Sequence, residues 1–161
     1  MHTEILGMYV THRQGLFTLA LSITGCGAAA EDAVHDAFGR LLERGVPDGA
    51  DAAAYVFGAV RNAAIDRRRV HRPAPLDDGS LFDGRADADP GAPLAADDEA
   101  THVRAAVDRL PEDLKQVLVM RVYGGLTFQQ IADAHDAPLS TIASRYGRAL
   151  DTLRAALGDQ P

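Results

Sequence analysis

The fold class this sequence predicts is all-α, with two small helical domains joined by an acidic flexible linker, the second containing a helix-turn-helix. Three observations predict it. Apolar residues recur at intervals of three and four along most of the chain, the period of a helix buried on one face. Aromatic residues are only 6% of the 161, so little favours strands. A stretch rich in proline, glycine and aspartate, 73–100, separates two periodic regions and has little that could pack. The expected divisions are a first domain over 1–72, a linker over 73–100 and a second domain over 101–161.

The charge follows the same divisions. The net charge is −7, yet residues 1–72 hold eight arginines and eight acids, and 101–161 hold seven bases and seven acids. The excess lies in the linker, where Arg85 faces Asp77, Asp78, Asp83, Asp87, Asp89, Asp97, Asp98 and Glu99. Two neutral lobes flank an acidic strap.

In chain order, Ile5, Met8, Tyr9, Leu16, Leu19, Ala20 and Ile23 form the apolar stripe of a first helix that ends at Gly25-Cys26-Gly27. Glycine there relieves the strain of a left-handed cap. A second helix runs from about Ala28 to Arg44, with Val34, Ala37, Phe38, Leu41 and Leu42 inward and Asp32, His35, Asp36 and Arg40 outward. Gly45 to Gly49 is a loop by composition. Asp51 is placed to cap a third helix reaching about Val70, whose end carries Arg61, Asn62, Arg67, Arg68 and Arg69. Such an arginine run suits either a solvated helix terminus or contact with phosphates.

The second region opens near Thr101 with Val103, Ala106, Val107 and Leu110 on one stripe. Pro111 starts the next helix, since its missing N–H is no loss in a first turn. Leu114, Val117, Leu118 and Val122 continue the core face until Gly124-Gly125. Thr127 and Gln130 then form a T-x-x-Q capping box. Phe128, Ile131 and Ala132 give a short apolar face, and Asp136-Ala137-Pro138 interrupts the helix. Ser140 is placed to cap a last helix with Ile142, Tyr146, Leu150, Leu153 and Leu157 inward. Its other face offers Thr141, Ser144, Arg145 and Arg148. Helix, tight turn and donor-bearing helix make a helix-turn-helix suited to the major groove.

Several classes are disfavoured. Cys26 is the only cysteine and the six histidines are scattered, so neither a metal site nor a cofactor is expected. Asp32, Asp36 and the linker acids lack a nucleophile, ligand set or phosphate loop beside them, so no catalytic residues are assigned and an enzyme is the least favoured reading. No apolar run approaches the length of a membrane span, and the expected location is cytoplasmic.

The string LPEDLKQVLVMRVYGGLTFQQIADAHDAPLSTIASRYGRAL closely resembles the −35-reading domain of bacterial RNA polymerase sigma factors. AEDAVHDAFGRLLER resembles the polymerase-binding helix of their domain 2, and AYVFGAVRNAAIDRRR the helix that recognises and melts the −10 element. Two such domains with a short linker resemble the extracytoplasmic-function (ECF) group. The resemblance implies that Asp32, His35, Asp36 and Arg40 face the β′ clamp helices of core RNA polymerase. It places Arg61, Asn62, Arg67 and Arg68, with Val46 and Asp48 of the loop Val46–Gly49, on the −10 strand. Ser140, Thr141, Ser144, Arg145 and Arg148 would meet the −35 duplex of promoter DNA. The β flap would meet the apolar outer surface of the second domain, and an anti-sigma factor is the further partner that the group implies. The sequence departs from the family pattern at Gly58 and Ala143, where a basic residue is common, at His35 for a frequent glutamine, and at Tyr55 for a frequent tryptophan.

Neutral lobes argue against strong duplex binding by the free protein, because nonspecific affinity depends mostly on phosphate neutralisation. A factor delivered to DNA by a large partner needs no such charge. The alternatives are an autonomous helix-turn-helix regulator and a sigma-like interaction protein that binds polymerase without initiating.

Overall fold

The computed structural model describes residues 2–70 and 98–158. Among these residues there are seven α-helices and no strands: α1 (His2–Thr24), α2 (Gly27–Arg44), α3 (Ala52–Val70), α4 (Asp98–Asp108), α5 (Glu112–Val122), α6 (Phe128–His135) and α7 (Leu139–Gly158). The linker expected over 73–100 lies outside the described residues, except that its last three positions open α4.

Local chemistry sets the ends of the elements. Gly25 adopts φ 74° after α1, and its N–H donates to the Leu21 carbonyl at 2.9 Å. The Asp51 carboxylate accepts from the Ala54 N–H at 2.9 Å and starts α3. Thr127 and Gln130 form the expected reciprocal box, at 3.1 Å to the Gln130 N–H and 2.9 Å from the Thr127 N–H. Asp136 turns the chain out of α6 in the left-handed region at φ 52°. The last helix begins at Leu139, two residues before the start a Ser140 cap would give, so Ser140 lies inside its first turn instead of capping it.

Helices α1, α2 and α3 pack mutually into the first lobe. Leu16, Leu19, Ala20, Ala30, Ala33, Val56, Phe57 and Val60 are fully buried there. In the second lobe Val107, Leu110, Leu114, Leu118 and Ala149 form a smaller cluster, with Tyr146, Leu150 and Leu153 packed against it. Of the stripe expected on α7, only Ile142 is fully enclosed, and Ala149 joins it.

The lobes are not separate bodies. Helix α5 packs on α1, and α6 packs on α3. One continuous core runs from the first lobe into Val117, Val119, Met120, Leu126, Ile131, Ala132 and Ile142 of the second. This corrects the face expected for α5. Val122 is 58% exposed, whereas Val119 and Met120 are fully buried. Helix α5 buries an unbroken run from Gln116 to Met120, as a helix covered on opposite sides must.

Candidate nucleic-acid interface

The helix-turn-helix is fixed from within the second lobe. The Arg121 guanidinium lies 5.0 Å from the Phe128 ring centroid and donates to the Leu126 carbonyl at 2.8 Å. Phe128 meets the Tyr146 ring at 5.2 Å, which joins α6 to α7. After Asp136, the Ala137 N–H returns to the Ala132 carbonyl at 3.0 Å, closing the turn. On α7, Ser140, Ser144 and Arg148 are exposed, while Thr141 and Arg145 are partly covered. Arg145 leans back toward α5, with Nε 3.8 Å from an Asp113 carboxylate oxygen. The outward reading face is therefore narrower than the five expected residues.

Of the candidate −10 residues, Arg61, Asn62, Arg67 and Arg68 occupy the C-terminal half of α3, and Arg61 and Arg68 reach the second lobe. Arg61 Nε donates to Gln116 Oε1 at 2.6 Å, and Gln116 is itself buried. Arg68 pairs with Glu112 at the start of α5. Arg67 turns the other way, donating from Nε to Asp36 at 3.0 Å and lying 3.6 Å from Asp32. Residues assigned separately to DNA and to polymerase thus form one ion-pair cluster. Asn62 is exposed but lines a cleft of ≈ 420 Å³ whose other wall includes Asp133, Ala134 and Asp136 of the second lobe. Asp48 of the loop is exposed and Val46 half-buried.

On α2, His35 and Arg40 are exposed, with Asp32 and Asp36 beside them engaged by Arg67. Apolar residues exposed on the second lobe include Val103, Val122, Tyr123 and Leu139.

Two groups that sequence reasoning missed lie at the meeting of the lobes. His135, the last residue of α6, has its Nε2 buried without a hydrogen-bond partner. Burial first, then the charges of Arg61 and Arg145, push its pKa down to about 4, so it is neutral. Burial also lowers the pKa of Arg61, and the neighbouring Arg145 adds to that effect. The second missed group is Gln116, whose only sequence signal was a polar residue inside the apolar run of α5.

Residues 8–73 match Sigma-70 region 2 and residues 102–153 match Sigma-70 region 4, in that order. The chain belongs to the sigma-70 family. Its similarity to ECF sigma factors runs through much of its length. It is 32% identical over 130 residues to the ECF RNA polymerase sigma factor RpoE of Cereibacter sphaeroides, covering 78% of this chain and 70% of that protein. Identity to the ECF sigma factor EcfG of Rhodopseudomonas palustris is 30% over 145 residues, covering 88% and 78%. Similarity to SigI of Mycobacterium tuberculosis is 30% over 99% of this chain, but the chain spans only 59% of that relative's length. In fold it resembles the sigma factor RpoE of Bartonella quintana, solved in complex with the anti-sigma factor NepR. The TM-score is 0.69 at 22% identity, over 99% of this chain and 97% of that one. This sigma-70 chain carries region 2 on α1–α3 and region 4 on α4–α7.

Proposed function

We propose that this protein is an ECF-type sigma factor that binds core RNA polymerase and directs transcription initiation at promoters with −10 and −35 elements. The observation that carries this reading is the ordered pair of region 2 and region 4 on one chain, with an outward donor face of Ser140, Ser144 and Arg148 on the second helix of the helix-turn-helix. The three-part division at 1–72, 73–100 and 101–161 is retained.

The role is non-enzymatic and exercised in the cytoplasm, where core polymerase and promoter DNA are found. Among the described residues no helix is long and apolar enough to cross a membrane. Asp32, His35, Asp36 and Arg40 form the face offered to the β′ clamp helices. Arg61, Asn62, Arg67 and Arg68, with Val46 and Asp48, read the −10 strand. Ser140, Thr141, Ser144, Arg145 and Arg148 read the −35 duplex, and the exposed apolar residues of the second lobe receive the β flap. An anti-sigma factor is proposed as a further partner, supported by the complex of the Bartonella protein with NepR.

Run-off transcription with purified core on a footprinted promoter tests the reading. A transcript dependent on this protein supports it. Stable core binding without a transcript favours the sigma-like interaction protein, a reading motivated by Gly58 and Ala143 at usually basic positions. Tight, specific duplex binding by the free protein favours an autonomous regulator.

A further inference from the structure

We propose that the cleft lined by α2, α3 and the end of α6 is a binding site for a guanine nucleotide. Its volume of ≈ 420 Å³ lies within the roughly 300–1,000 Å³ typical of small-ligand sites. Its lining carries opposite charges on different elements. Arg40 and Arg44 come from α2, and Asp133 and Asp136 come from α6 and the residue that follows it. Both arginines are exposed, and among the described residues neither has an ion-pair or hydrogen-bond partner. One helical turn apart, they are neighbours on the helix surface. Two free guanidiniums so placed suit a phosphate, whose oxygens accept paired N–H bonds from arginine. The Asn62 amide of α3 lines the same cleft and adds a neutral donor.

The acidic side selects the other end of the ligand. Asp133 accepts from Gln129 Nε2 at 3.0 Å. The Asp136 carboxylate has no hydrogen-bond donor among the described residues. A free carboxylate can accept two parallel N–H bonds, and one edge of guanine presents such a pair, from N1–H and the N2 amino group. Adenine presents an acceptor at N1, which a carboxylate repels. The cleft is also lined by Ala54, Gly58 and Ala59, which carry nothing beyond Cβ, and by the Tyr55 ring, 41% exposed. Small residues and a phenol ring suit a planar heterocycle. A phosphate for the arginines, a flat ring for the small residues and a donor pair for Asp136 together describe a guanine nucleotide. The site goes beyond the sigma-factor reading and does not depend on it.

Isothermal titration calorimetry on the full chain tests the assignment with four probes: guanosine monophosphate, adenosine monophosphate, guanosine and inorganic phosphate. Guanosine monophosphate should bind, and each of the other three should bind at least about 10-fold more weakly, the scale of one lost charge-assisted hydrogen bond. Arg44→Gln, at a residue outside every surface proposed for polymerase or DNA, should weaken guanosine monophosphate by about 10-fold and leave guanosine unchanged. Asp136→Asn should erase the preference for guanosine monophosphate over adenosine monophosphate. Asp136 sits at φ 52°, a left-handed backbone that asparagine tolerates, so helix content by circular dichroism should match the parent. Arg154→Gln, on α7 and outside the cleft, should bind as the parent does. No binding of guanosine monophosphate at millimolar concentration, equal binding of all three anions, or an affinity unmoved by both cleft variants overturns the assignment.

Discussion

Acidification should destabilise the protein through His135, among other groups. Its ordinary pKa of 6.5 applies in the unfolded chain, while burial beside Arg61 and Arg145 pushes the folded value down to about 4. Above pH 6.5 the imidazole is neutral in both states and contributes no pH dependence. As pH falls through 6.5 the unfolded state takes up a proton that the folded state resists until about pH 4, so stability is lost in that window. With these two values, linkage gives a loss of about 2 kcal/mol between about pH 7.5 and pH 5, rising to about 3 kcal/mol at pH 4. The chain has no tryptophan, so urea unfolding is best followed by the far-ultraviolet circular dichroism of its helices. His135→Gln removes the titrating group. The difference in unfolding free energy between parent and variant should narrow or widen with pH by that amount, because the other histidines cancel in the comparison. Parallel curves from about pH 7.5 to pH 5 would refute the burial of a neutral imidazole where the lobes meet.

Other perturbations have sizes set by the same structure. Thr127→Ala removes the side-chain half of a formed capping box, and should lower stability by about 1 kcal/mol in urea titrations. Ile142 is fully buried in the core that joins the lobes, so Ile142→Ala should cost about 2–5 kcal/mol by the same measurement. Arg148→Ala, at an exposed position on α7, should weaken the −35 footprint of the holoenzyme by roughly 10-fold, the scale of one lost base contact. Its affinity for core polymerase should not change; an intact footprint would remove Arg148 from the reading face.

Local signals in the sequence were legible because each is satisfied within a few residues. The Thr127–Gln130 box, the Asp51 cap and the left-handed Gly25 need no knowledge of the rest of the fold. The helix-turn-helix followed from them. The start of α4 at Asp98 was hidden, because acids read as linker composition also suit the first turn of a helix. The contact between the lobes was least visible. Arg61 and Gln116 are 55 residues apart, and helical periodicity tells which face is apolar but not what covers it. One clue was present: Val117 to Met120 is an apolar run with no polar face, which a helix packed on one side does not require. Reading only Leu114, Val117, Leu118 and Val122 as inward passed over Val119 and Met120. In the sequence Gly58 shows only as a missing cation, whereas in the structure the Ala134 carbonyl oxygen lies 3.1 Å from where its Cβ would be.

The central claim, that this region 2 and region 4 pair serves as a promoter-reading subunit of polymerase, is tested most directly by run-off transcription combined with footprinting. The protein, core polymerase and DNA fragments from its own genome are the only macromolecules required. The account predicts a discrete transcript that depends on both proteins, with protection centred on two elements, about 35 and about 10 base pairs upstream of the start, as the sigma-factor resemblance requires, and none from the isolated protein. Stable assembly with core that yields neither transcript nor two-element protection would contradict it.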